Sequence, residues 1–81
     1  MTAGTVTIDL HGMNCYQAQV AIDAALRRAR PSTYRLELVH GYHSGNALRD
    51  MIRKTYSKHK KVVRLELGLN PGATTLVLRE Y

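Results

Sequence analysis

The chain has 81 residues, with twelve Lys and Arg against six Asp and Glu for a formal net charge of +6; it is 44% hydrophobic and 22% charged. That length supports a single domain, residues 1–81 with a flexible stretch at 1–4, and so ordinary a composition excludes a disordered chain. The lone cysteine, Cys15, excludes an internal disulfide or a Cys-based zinc site, and no apolar run approaches the roughly 18 residues of a membrane span.

With no basic-then-apolar leader, the expected setting is soluble, cytoplasmic and reducing, with no membrane partner. The cationic surplus on so small a body attracts polyanions by Coulomb forces and counterion release. Tyrosine is the only aromatic residue, so base-stacking candidates are few.

Residues Thr5 to Leu10 read TVTIDL, alternating polar and apolar, which predicts a strand with Val6, Ile8 and Leu10 on one face. His11-Gly12 turns the chain, and Asn14 offers a helix N-cap with Gln17 as its capping-box partner. Between Cys15 and Arg30, apolar residues at 15, 18, 22, 25, 26 and 29 mark one helical face. Arg27, Arg28 and Arg30 fall in the last turn, where the helix dipole favours cations, and Pro31 ends the helix.

A second strand is predicted over Tyr34 to His40, then a loop over Gly41 to Asn46. A second helix runs from about Asn46 or Ala47 to Lys58, with Leu48, Met51, Ile52 and Tyr56 inward. Val62 to Leu67 reads as a third strand, Asn70-Pro71-Gly72 as a turn, and Thr74 to Arg79 as a fourth strand. The expected fold is therefore α/β: a two-layer βαβαββ domain on a four-stranded mixed sheet. Two successive βα units predict that the first three strands are parallel, and the short last loop that the fourth is antiparallel.

In that arrangement Asp9-Leu10-His11-Gly12 and His40-Gly41-Tyr42-His43-Ser44-Gly45 emerge at the same, carboxyl edge of the sheet, where open α/β sheets bind ligands. Each loop leads into a helix N-terminus, which favours an anion such as phosphate. Gly12, Gly41 and Gly45 let a backbone approach a ligand. Asp9 and His11 fall on the same side, and His11, His40 and His43 supply imidazoles suited to proton transfer near neutrality.

These segments resemble the small MutS-related (Smr) domain family. DLHG at Asp9 to Gly12 matches its first signature, HGYHSGNALR from His40 to Arg49 its second, and NPGATTLVL from Asn70 to Leu78 its closing turn and last strand. Together they cover nearly the whole chain from Val6 onward. Here His43 stands at the first Gly of the family's G-x-G loop, Tyr42 stands at a basic position, and Asn46 reads as an insertion.

The resemblance implies a βαβαββ fold like the C-terminal domain of a bacterial translation initiation factor. It also implies association with DNA or RNA and, in several members, metal-assisted endonuclease activity. By family analogy a ribosome is a further partner. Members are commonly attached to larger MutS-like or helical-repeat proteins; this sequence reads as a stand-alone one.

The expected site places Asp9, His11 and His40 as catalytic residues, with Asp9 as the metal ligand for Mg²⁺ or Mn²⁺. Gly12, Gly41, Tyr42, His43, Gly45, Arg49 and Arg53 would contact the nucleic acid, Tyr42 by stacking on a base. Basic residues from Arg49 through Lys61 to Arg64 offer a phosphate-tracking face. Each assignment has a plainer rival. Asp9 can cap its own turn, His40 can close its loop by a hydrogen bond, and the basic face can simply be solvated. Two functional readings follow: a nucleic-acid-cleaving hydrolase, or a binding module that uses the same surface without cutting. A third is a small protein-interaction domain.

Overall fold

A computed structural model describes residues 4–41, 45–67 and 72–79. The elements, in chain order, are β1 (Thr5–Asp9), α1 (Cys15–Arg28), β2 (Arg35–Val39), α2 (Gly45–Tyr56), β3 (Arg64–Glu66) and β4 (Ala73–Val77). The βαβαββ order is the one expected.

Both ends of α1 follow from local chemistry. The Asn14 side chain accepts the Gln17 N–H at 2.8 Å, and the Gln17 side chain accepts the Asn14 N–H at 3.0 Å. This reciprocal box satisfies two of the N–H groups that a helix start leaves orphaned. At the other end the Ala29 N–H bonds the Leu26 carbonyl at 3.4 Å and Ala29 turns extended, two residues before Pro31. Helix α2 stops at Tyr56, short of Lys58, and the chain turns through His59, whose N–H reaches the Tyr56 carbonyl at 3.2 Å.

Strand order is β1-β2-β4-β3, and this corrects the expected sheet. Only the β1–β2 ladder is parallel; β4 pairs antiparallel with both β2 and β3. The third strand keeps the direction of the first two but never touches β2, because the fourth inserts between them. Burial explains the choice. Along β4, Ala73, Thr74, Leu76 and Val77 are all buried, whereas β3 is three residues long and carries Arg64 and Glu66. An apolar strand gains most in the sheet's interior, and a short charged one is the better edge.

The helices share one face of the sheet. Leu36, Leu38 and Leu76 form a single cluster with Ala18, Ile22 and Leu26 of α1 and Leu48, Ile52 and Tyr56 of α2. The opposite face is mixed: the Thr7 hydroxyl donates to Glu37, and Arg35 and Arg64 both pair with Glu66, at 3.5 and 3.2 Å, beside buried Ala73 and Val77. On the edge strand β1, Val6 is 45% exposed and Ile8 half-buried, so its inward face is only partly covered; Leu10, just past the strand, is completely buried. No helix among the described residues is long and apolar enough to cross a membrane.

Candidate functional site

Because β1 and β2 are parallel, their carboxyl ends meet at one edge, and antiparallel β4 brings its first residue to the same place. Three chain segments converge there. The β1–β2 ladder runs one step past Asp9, with the Leu10 N–H on the Val39 carbonyl at 2.8 Å, and buried Leu10 anchors the turn that follows. In that turn one Asp9 carboxylate oxygen accepts the His11 N–H at 2.9 Å, and the Met13 N–H closes on the Leu10 carbonyl at 3.0 Å. Gly12 sits at φ +84°, a conformation that side-chain-bearing residues rarely adopt, and a Cβ there would meet nothing within 4 Å.

Gly41 ends the second segment at φ +88°, and a Cβ built on it would lie 3.1 Å from the His11 ring carbon Cδ2. The His11 imidazole thus lies over the bare Gly41 backbone and still faces solvent. A carbonyl from the third segment locks this contact: the Gly72 oxygen accepts both the His40 N–H, at 2.9 Å, and the Gly41 N–H, at 3.0 Å.

Asp9 and His11 are therefore exposed and adjacent, one oxygen of Asp9 spent on its own turn. His40 is placed quite differently. It is only 1% exposed; its Nδ1 lies 3.2 Å from the Gly41 carbonyl and its Nε2 3.1 Å from the Thr74 hydroxyl. A carbonyl only accepts, so Nδ1 carries the proton, and in the neutral ring Nε2 accepts from the Thr74 O–H. The ring spans β2 and β4 from inside the protein, the loop-closing role. Thr74 is a site-building residue that the sequence reading passed over. Its signal was a hydroxyl at an inward position of the last strand, where Leu76 and Leu78 are the neighbours on that face.

Among the cations, Arg49 pairs with the adjacent Asp50 at 3.4 Å while both stay solvent-accessible, a contact worth little. Arg53 is exposed. Arg64 leaves the expected basic face altogether, since it sits on the open sheet face against Glu66. Tyr42 and His43 lie outside the described residues; Gly45 opens α2.

No group of three or more His, Cys, Asp or Glu side chains stands close enough to hold a metal among the described residues. A lone exposed carboxylate still fits one recognised mode, in which Mg²⁺ takes one or two carboxylates and fills the rest of its shell with water and substrate phosphates. Asp9 has one carboxylate oxygen without a partner among the described residues for such a contact.

A comparison with curated protein sequences finds no match. Among solved structures, the chain is similar to the Smr domain of Thermus thermophilus MutS2, at 31% identity and a TM-score of 0.80, over 93% of this chain and 99% of that one. The Smr domain family model matches residues 8–78, which takes in both the Asp9–Gly12 turn and the segment through His40 and Gly41. With its signature turns meeting at one sheet edge on the matching fold, this chain belongs to the Smr domain family.

Proposed function

We propose that the domain binds nucleic acid at the Asp9–Gly12 edge and hydrolyses a phosphodiester bond there. The observation that carries this reading is the His11 ring lying over Gly41, which joins two signature segments into one exposed surface with Asp9 in the same turn. Membership of a family associated with nucleic acids and the +6 net charge support it.

In this reading His11, in its neutral form, takes a proton from the attacking water as the new P–O bond forms. The bond to the leaving oxygen breaks as that oxygen takes a proton from a solvent water, and His11 returns its own proton to solvent. Asp9 would hold a divalent cation, whose chemistry there would be to neutralise charge on the scissile phosphate. Gly12, bare on its open side, leaves room for a phosphate against the backbone, while Arg49 and Arg53 pair with flanking phosphates. Tyr42, His43 and Gly45 would add further contacts to phosphate and base. His40 acts as a positioning residue, holding Gly41 under His11 without touching substrate.

A binding module that does not cut is the second reading, favoured by one observation: Asp9 spends an oxygen on its own turn, and no ligand cluster joins it among the described residues. A cleavage assay separates the two. Purified protein is incubated with plasmid DNA and with structured RNA, with Mg²⁺ or Mn²⁺ and with EDTA, alongside Asp9→Ala and His11→Ala. Cleavage that needs the cation and disappears in both variants establishes the hydrolase. Salt-sensitive binding with no cleavage, undiminished in Asp9→Ala, establishes the module instead.

A further inference from the structure

The basic residues are gathered at the end of the molecule away from Asp9 and His11. Both helices finish there, β2 and β3 begin there, and β4 finishes there. Eleven of the twelve Lys and Arg, all but Arg49, belong to these helix ends, strand ends and turns, among them Arg27, Arg28, Arg30, Lys58, Lys60, Lys61 and Arg79. Four of them, Arg30, Lys60, Lys61 and Arg79, line a cleft of about 460 Å³ with Thr33, over an apolar floor that includes Leu26 and Leu78. Among the described residues the lining contains no carboxylate. All four cations are exposed, and none is in an ion pair among the described residues.

The backbone around the cleft is well tied. The Lys61 N–H donates to the His59 ring at 3.1 Å and the Val62 N–H to the His59 carbonyl at 3.0 Å. The Val63 N–H reaches the Val77 carbonyl at 2.7 Å, and the Leu78 N–H the Tyr34 carbonyl at 2.7 Å. On the far wall, Thr33 and Arg30 exchange two bonds: the Thr33 N–H to the Arg30 carbonyl at 2.9 Å, and the Arg30 N–H to the Thr33 hydroxyl at 3.3 Å.

The helix dipole accounts for Arg27 and Arg28 in the last turn of α1. It does not account for Lys60, Lys61 or Arg79, which lie in a turn and beyond a strand. Holding four like charges around one cleft costs repulsion that an anion offsets. In the adjoining cleft, which also holds Lys60 and Lys61, the carboxylate is Asp23, and its Oδ1 already accepts the Tyr56 hydroxyl at 2.7 Å.

We propose that this cleft is a second phosphate-binding site, which grips the backbone of the nucleic acid whose reacting segment lies at Asp9 and His11. The inference rests on the nucleic-acid reading above. A backbone ligand is favoured over bases because no aromatic ring lines the cleft among the described residues. Exposed Arg53 and Lys54, in the last turn of α2, and Lys58 just beyond it extend the basic surface from the cleft back along α2. The 12 residues of α2 rise about 18 Å, which corresponds to roughly five nucleotides at about 3.4 Å each along a duplex strand.

The test uses the triple variant Lys60→Ala, Lys61→Ala, Arg79→Ala, whose sites are all exposed. Affinity for a duplex of about 20 base pairs is measured in EDTA across a salt series. Losing three phosphate contacts should reduce the magnitude of the slope of log K against log salt by about 2.7, which is a loss of roughly 500-fold at about 0.1 M salt. In parallel, amide resonances of the wild-type domain are followed during titration with the same duplex; those of Lys60, Lys61, Val62 and Arg79 should shift.

Wild-type binding with an unchanged slope in the variant overturns the second site and leaves the nucleic-acid reading standing. Shifts confined to residues 9–12 and 40–41 do the same. A wild-type domain that binds neither DNA nor RNA overturns both, whereas cleft amides that respond only to an acidic peptide overturn the second site alone.

Discussion

Thr74→Val tests how the site is held together, because it removes one atom's hydrogen-bonding capacity and almost no volume. Thr74 and His40 are each only 1% exposed, and their contact is 3.1 Å. No buried side-chain nitrogen or oxygen is left without a partner among the described residues. The variant would strand His40 Nε2 inside the protein, where a lost partner costs about 1–3 kcal/mol. At about 2 kcal/mol the melting temperature of a domain this size falls by roughly 8–16 °C.

Urea unfolding followed by circular dichroism reads that loss directly. His40→Leu should also destabilise, since it strands the Thr74 hydroxyl. Combining the two removes both polar partners, so the double variant should be more stable than the sum of the single losses predicts, by at least about 1 kcal/mol. A Thr74→Val domain within about 0.5 kcal/mol of wild type, or a strictly additive cycle, would refute the paired arrangement.

Gly41→Ala and Gly12→Ala form a matched pair, each placing a side chain at positive φ and costing about 1–2 kcal/mol. Only the first also pushes a Cβ to 3.1 Å from His11, so it should displace that ring, read as a shift of its resonances; both should weaken nucleic-acid binding, Gly12→Ala by filling the space left for a phosphate. Tyr56 is buried and hydrogen-bonded to Asp23, and burial first, then that carboxylate, holds its phenol above the ordinary value of about 10. The folded state therefore keeps this proton where the unfolded chain sheds it, so the contribution is full below pH 10 and is lost as pH rises beyond. Tyr56→Phe should cost about 1 kcal/mol at neutral pH and flatten the alkaline decline, measured as the difference between the two unfolding curves from pH 9 to about 11.5. Asn14→Ala should cost about 1 kcal/mol through the lost helix cap, with binding unchanged.

The order of elements and the capping box were legible because each rests on neighbours in sequence: the TVTIDL alternation, the 3.6-residue stripes, Asn14 with Gln17. The position of the last strand was not, because a short turn after β3 says that β4 is its neighbour and not on which side it lies. A clue was present even so. From Ala73 to Leu78 the chain carries no charge, whereas the preceding strand carries Arg64 and Glu66. Asp9, His11 and Gly41 could be assigned to one edge from the parallel β1–β2 pair alone. The burial of His40 could not, since its partner lies 34 residues away and becomes adjacent only through the sheet order.

The unexpected insertion of β4 is also what builds the site. Placed beside β2, it starts at the edge where β1 and β2 end, so the Gly72 carbonyl meets the N–H groups of His40 and Gly41, and Thr74 meets the His40 ring. Had β3 occupied that place, residues 64–66 would run alongside β2 in its own direction and present Arg64 or Glu66 to a buried imidazole. Gly41 would lose both of the contacts that hold it beneath His11. The same insertion carries the end of β4 to the far edge, where Arg79 joins Arg30, Lys60 and Lys61 around their cleft. One strand thus fixes a residue at each end of the molecule: Gly72 under the signature turns and Arg79 in the basic cleft. A backbone laid across both ends would therefore meet groups whose separation the β4 ladder holds constant, which is the geometry that a cut at a fixed distance from a gripped phosphate requires.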